Sequence, residues 1–115
     1  MDASRLEWLS ATDAVRAITE GAVSSEQFVE ACLARIRAAE PEVQAWQFLD
    51  PEHALTQARA RDLDRSEGRP CGPLHGVPVG VKDIIDIAGV PTTCHSKILV
   101  DNVAKADAVV IRKLR

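Results

Sequence analysis

The residues of this chain whose types and spacing could do chemistry lie between positions 71 and 96, and Lys82 heads them. It follows Val77-Pro78-Val79-Gly80-Val81, a run apolar on both faces. A lysine at the mouth of a buried strand can be desolvated enough to lose its charge near neutral pH, and a neutral amine is a competent general base. The competing reading is a surface lysine paired with its neighbour Asp83. Cys71, His75, Cys94 and His95 are zinc-ligand types in the loops on either side of the same run. Adjacent residues such as Cys94 and His95 tend to point apart, however, and without a C-x-x-C knuckle neither a metal nor a cofactor is expected. Thr92, Thr93 and Ser96 carry hydroxyls, yet no G-x-S-x-G elbow surrounds them, and hydroxyls in turns commonly bond to their own backbone. The glycines match neither G-x-G-x-x-G nor G-x-x-x-x-G-K-[ST], so a phosphate cradle is not expected.

These residues need elements to hold them. Ser10 reads as an N-cap with Asp13 in the first turn, Ala14, Val15 and Ile18 form one apolar face, and Gly21 sits at the C-cap. Ser24 with Gln27 fits a capping box, opening a helix that carries Phe28, Val29, Cys32, Leu33 and Ile36 as far as Pro41. Val43 to Leu49 alternates roughly and suits a short strand or extended segment. Asp50 and Pro51 start a third helix, with Ala54, Leu55, Ala58 and Leu63 inward and Gly68 after it. Its outer charges, Arg59, Arg61, Asp62, Asp64, Arg65 and Glu67, read as a solvated face. Residues 69–76 hold two prolines and two glycines, which is loop chemistry, and Val77 to Val81 is predicted to be a strand buried on two sides. Asp107 to Arg115 begins a further helix whose pattern is still running at the last residue. The expected fold is α/β: N-terminal helices leading into the first strands of a mixed sheet flanked by helices, incomplete as it stands. Its parts are a helical lead-in over 1–68, the loop, strand and lysine motif over 69–96, and the start of a following helix over 107–115.

Composition bounds the function. One hundred and fifteen residues make about one domain, and 46% apolar with 27% charged residues is a globular balance, not that of a disordered tail. A net charge of -3 and four aromatic side chains (Trp8, Trp46, Phe28, Phe48) argue against a nucleic-acid groove. No apolar run approaches the roughly 20 residues of a membrane span, and the N-terminus lacks a secretory pattern. Three widely spaced cysteines do not form a disulfide framework, so a reducing, cytoplasmic setting is expected.

Gly72-Pro73-Leu74-His75-Gly76-Val77-Pro78-Val79-Gly80-Val81-Lys82-Asp83, continued by Ile87-Ala88-Gly89-Val90-Pro91-Thr92-Thr93 and later by Asp107-Ala108-Val109-Val110, resembles the start of the amidase signature family. Ser24-Ser25 opening a helix that runs to Ala31-Cys32-Leu33-Ala34-Arg35-Ile36 resembles the usual lead-in. The resemblance implies a hydrolase of small carboxamides acting through a serine nucleophile, an intervening serine in a cis peptide, and a lysine as ultimate base, here Lys82. It also implies that both serines and a glycine-rich oxyanion loop lie downstream of the lysine. After Lys82 this sequence holds one serine, Ser96, in different surroundings. A base without its nucleophile is expected to be inactive, because such groups act as a unit. Thr92-Thr93-Cys94 with Ser96-Lys97-Ile98-Leu99 is similar to a stretch of the A-type chain of glutaminyl-tRNA amidotransferases; the general amidase ranks ahead of it. A non-catalytic truncated product or interaction domain is the alternative from another class. An uncovered strand and helix face would favour self-association of such a fragment.

Overall fold

The computed structural model describes residues 3–115, which fall into two units that meet at Pro78 and Val79. The first is helical. A 3-10 segment over Ala3–Trp8, broken at Arg5, precedes helices α1 (Ala11–Thr19), α2 (Ser25–Val43) and α3 (Pro51–Ser66).

Local sequence rules set the ends of these helices. The Ser10 side chain accepts the Asp13 N–H at 3.1 Å, satisfying a donor that the first turn of α1 leaves open. At its other end, Gly21 takes φ +75, its N–H donates to Ile18 O, and the Ala22 N–H reaches back to Ala17 O. That pair of bonds is a Schellman closure, and the left-handed residue it needs is the glycine. Ser24 and Gln27 complete a capping box on α2, with both bonds at 3.0 Å. Asp50 caps α3 through the His53 N–H, and Gly68 at φ +70 closes it as Gly21 closes α1.

α2 has two working faces. Phe28 joins Leu6, Ala14, Ala17, Ile18 and Val23 in one buried cluster, while Val29 and Leu33 meet Ala58 of α3 in another. Val77, at the end of this unit, packs half-buried on the first cluster. Two expectations change here. α2 continues through Pro41 to Val43; the Gln44 N–H still donates to Glu40 O, and the left-handed backbone of Gln44 (φ 50) then turns the chain out of the helix. A proline in the last turn removes one intrahelical donor, and the helix closes after it instead of before it. Val43 to Leu49 forms no strand; Trp46, Phe48 and Leu49 are exposed, and no ladder partner lies beside them among the described residues.

The second unit, Val79–Arg115, is mostly turns. It contains a 3-10 turn over Lys97–Leu99 and one short helix, α4 (Val109–Leu114). The expected mixed sheet is not formed among the described residues. What pairs is one antiparallel bridge, Pro91 with Val103, flanked by bonds from Gly89 N to Ala104 O and from Thr92 N to Asn102 O, both 2.9 Å. The predicted two-sided strand fails on the same physical ground. Strands exist through their ladders, and no N–H from Val79 to Asp83 donates to any group among the described residues. Val79 is accordingly 51% exposed rather than buried. The buried residues described in this unit are Thr92, Thr93 and Ile111, so its interior is small and hydroxyl-rich. α4 begins two residues later than the pattern suggested, because Asp107 binds elsewhere instead of entering the helix.

Candidate active site

Lys82 lies in an irregular stretch of the second unit, and its side chain is exposed. Its carbonyl accepts the N–H groups of Ile84 and Ile85 in a tight turn, at 2.8 and 3.1 Å. Its ammonium group forms neither a hydrogen bond nor an ion pair among the described residues. Burial at a strand end, which the sequence suggested, is therefore absent from this unit. The alternative pairing with Asp83 is absent too.

Asp83 turns instead to Thr93. One carboxylate oxygen accepts the Thr93 N–H at 2.7 Å, and the other accepts the Thr93 hydroxyl in a short bond. The Asp83 carbonyl accepts the Cys94 N–H at 2.9 Å. Three residues on, Asp86 repeats the arrangement, taking the Thr92 hydroxyl at 2.7 Å and, through its carbonyl, the Ala108 N–H at 2.9 Å. Asn102 braces the far side by donating to Thr92 O at 3.0 Å. The Thr93 hydroxyl, then the Thr93 N–H, hold the Asp83 carboxyl below the ordinary carboxylate range. Asp107 is held low in the same way, first by the Ala88 N–H and then by the Arg115 side chain.

Thr92 and Thr93 are not free nucleophiles, and Thr93 also bonds to the local backbone as turn hydroxyls do, its oxygen accepting the His95 N–H at 3.2 Å. Both hydroxyls donate to carboxylates, and both residues are buried. Ser96 bonds locally too, accepting the Ile98 N–H at 3.3 Å. The turn that follows Thr93 places two non-glycine residues in the left-handed region, Cys94 at φ 49 and His95 at φ 57.

The other candidates belong to the helical unit. His75 is buried, and its Nε2 lies 2.9 Å from the Arg61 carbonyl, so it ties the 69–76 loop to α3 instead of to its own backbone. Cys71 is exposed. Among the described residues no group of three or more His, Cys, Asp or Glu side chains is placed to hold a metal ion. A groove lined by Leu6, Val23, Gln27, Glu30 and Ala34 includes none of the candidate residues. Cys32, half-buried beside α1, has its thiol pushed up by burial and then by Glu7, which makes it a poor nucleophile.

The Thr–Asp clamps carry no signal in the sequence. Hydroxyl and carboxylate are separated by six and ten residues, a spacing that no single element imposes.

A family model for amidases matches residues 27–115. The chain belongs to the amidase family. Among curated amidase relatives, the A-type chain of the glutamyl-tRNA(Gln) amidotransferase of Chloroflexus aurantiacus is 43% identical over 111 residues, covering 96% of this chain and 23% of that relative. Among solved structures, the native peptide amidase of Stenotrophomonas maltophilia superposes with a TM-score of 0.87 at 34% identity, over 97% of this chain and 23% of that enzyme. A fatty acid amide hydrolase gives a TM-score of 0.88 at 26% identity, over 98% and 21%. This amidase chain thus spans less than a quarter of the length of the relatives it matches. No helix among its described residues is long and apolar enough to cross a membrane.

Proposed function

We propose that this chain is the lysine-bearing portion of an amidase that hydrolyses a small carboxamide to a carboxylate and ammonia or an amine. Lys82 is its base. The observation that carries the reading is the family match over residues 27–115, which contains Lys82 in its motif, together with an amine that no group among the described residues ties up. In the mechanism that the family resemblance implies, neutral Lys82 accepts a proton through an intervening serine as the nucleophilic serine attacks the amide carbonyl. It returns that proton to the leaving nitrogen when the C–N bond breaks. Backbone N–H groups would stabilise the tetrahedral oxyanion. Ser96 does not supply the nucleophile, since its oxygen caps the turn at Ile98. The 115 residues alone are therefore proposed to be inactive, cytoplasmic, and prone to self-association through exposed Val79, Ile84, Ile98 and Val110.

A second reading, part of an A-type amidotransferase chain, is favoured by one observation: identity to such a chain is 43%, against 34% to the peptide amidase. Grafting this chain in place of the matching segment of each relative tests both. Amide hydrolysis by the peptide-amidase chimera, lowered about 10⁴-fold by Lys82→Ala, is expected. Activity that survives Lys82→Ala would remove Lys82 from the mechanism. Glutamine-dependent amidation restored in the amidotransferase chimera alone would favour the second reading.

A further inference from the structure

Lys82 and Asp83 are neighbours in sequence, and an ammonium next to a carboxylate ordinarily pairs with it. Here the carboxylate is engaged elsewhere. Both of its oxygens are occupied by Thr93, through the N–H and through the hydroxyl, and its carbonyl is fixed by the Cys94 N–H. Thr93 is itself buried, and the parallel contact of Asp86 with Thr92 stops the turn from sliding. We propose that Asp83 and Thr93 are positioning residues for Lys82: their clamp turns the adjacent carboxylate away and keeps the lysine amine unpaired.

The proposal rests on the reading of Lys82 as the base, and it gives the clamp a purpose that fold stability alone would not require. A base must be free to lose its proton. An anion within reach holds an amine in its protonated, unreactive form. An aspartate is ionised at neutral pH with or without such bonds, so an Asp83 released from Thr93 would be that anion.

The test is competitive acetylation of the 115-residue chain with limiting acetic anhydride, read by peptide mapping, with exposed Lys97 and Lys105 as internal references. Thr93→Val keeps the size and the N–H but removes the hydroxyl. It should slow Lys82 acetylation roughly threefold relative to the references, as expected for an exposed ion pair newly formed. Thr93→Ser should match the wild type. The double variant Thr93→Val with Asp83→Asn should return to the wild-type rate, since the released group is then uncharged. An unchanged ratio in Thr93→Val, or slow acetylation persisting in the double variant, would overturn the proposal. Asp83→Asn alone gives an independent arm: its Lys82 rate should equal the wild type, and an increase would show that Asp83 already pairs with Lys82. Failure of the base reading itself would show up elsewhere, as chimera activity that survives Lys82→Ala.

Discussion

The Ser25 hydroxyl donates to the Gly76 carbonyl at 2.7 Å, joining the start of α2 to the loop before the lysine segment. Ser25 is fully buried, and Gly76 meets it with a left-handed backbone at φ +77. A Cβ on residue 76 would lie 2.9 Å from Ser25 Oγ and 3.1 Å from Ile18 Cγ2. Ser25→Ala should cost about 1–3 kcal/mol by stranding the carbonyl. Gly76→Ala should cost about 2–4 kcal/mol, combining the left-handed penalty with overpacking. Denaturant midpoints report both. A Gly76→Ala protein as stable as the wild type would mean that the loop is not held in this way.

Asp62 departs furthest from the solvated role expected of the charged face of α3. Its two carboxylate oxygens accept the N–H groups of Ser25 at 2.7 Å and Glu26 at 3.0 Å, so one helix supplies the anion that the N-terminus of another favours. Asp62→Ala should therefore destabilise by about 1.5–3 kcal/mol. Glu26→Ala breaks an exposed ion pair with Arg59 that links the same two helices and should cost no more than about 1 kcal/mol. Equal losses for the two variants in thermal unfolding would contradict the distinction.

The contrast between these residues shows what the sequence can disclose. The caps Ser10, Ser24 and Asp50 and the closing glycines at 21 and 68 are legible because each is decided within one turn of chain. Asp62 is not. Ala54, Ala58 and Asp62 share one face by i, i+4 spacing, so the acid takes the inward slot and Leu63 turns out to 53% exposure, a choice set by where α2 begins. The strands expected at 43–49 and 77–81 fail for a related reason, since apolar alternation promises a strand only when a partner is present to pair its backbone. The motif around Lys82 is legible as an amidase pattern, and the family match covers it. The freedom of Lys82 from Asp83 depends on a threonine ten residues beyond that aspartate, which periodicity does not reveal.

His95 adopts φ 57 directly after Cys94 at φ 49, two L-residues in the conformation that suits glycine. The left-handed region costs a residue with a Cβ about 1–2 kcal/mol, while glycine gives back part of that gain through the freedom of the unfolded chain. His95→Gly should stabilise the protein by about 0.5 kcal/mol net, and β-branched His95→Val should destabilise it. Calorimetric midpoints that fall for His95→Gly would show that the imidazole does something that the backbone geometry does not account for.

Acid should loosen the second unit before the first, by way of Asp83 and Asp107. Both carboxyls are held below the ordinary range, by Thr93 and by Ala88 with Arg115 respectively. A carboxyl depressed in the folded state binds its proton more readily once unfolded. Its stabilisation is therefore complete above the unfolded value of about 3.9 and disappears as pH falls through the lower, folded value. The Thr93 and Ala88 amide resonances, followed from pH 7 to pH 2, should move with midpoints below about 3.9. The two sites should also separate with salt. The Asp83 donors are an uncharged hydroxyl and an N–H, whereas Asp107 depends in part on the Arg115 cation, so added sodium chloride should raise the Ala88 midpoint and leave that of Thr93 in place. A Thr93 midpoint near that of an unfolded aspartate would mean that the clamp on Asp83 does not form in solution.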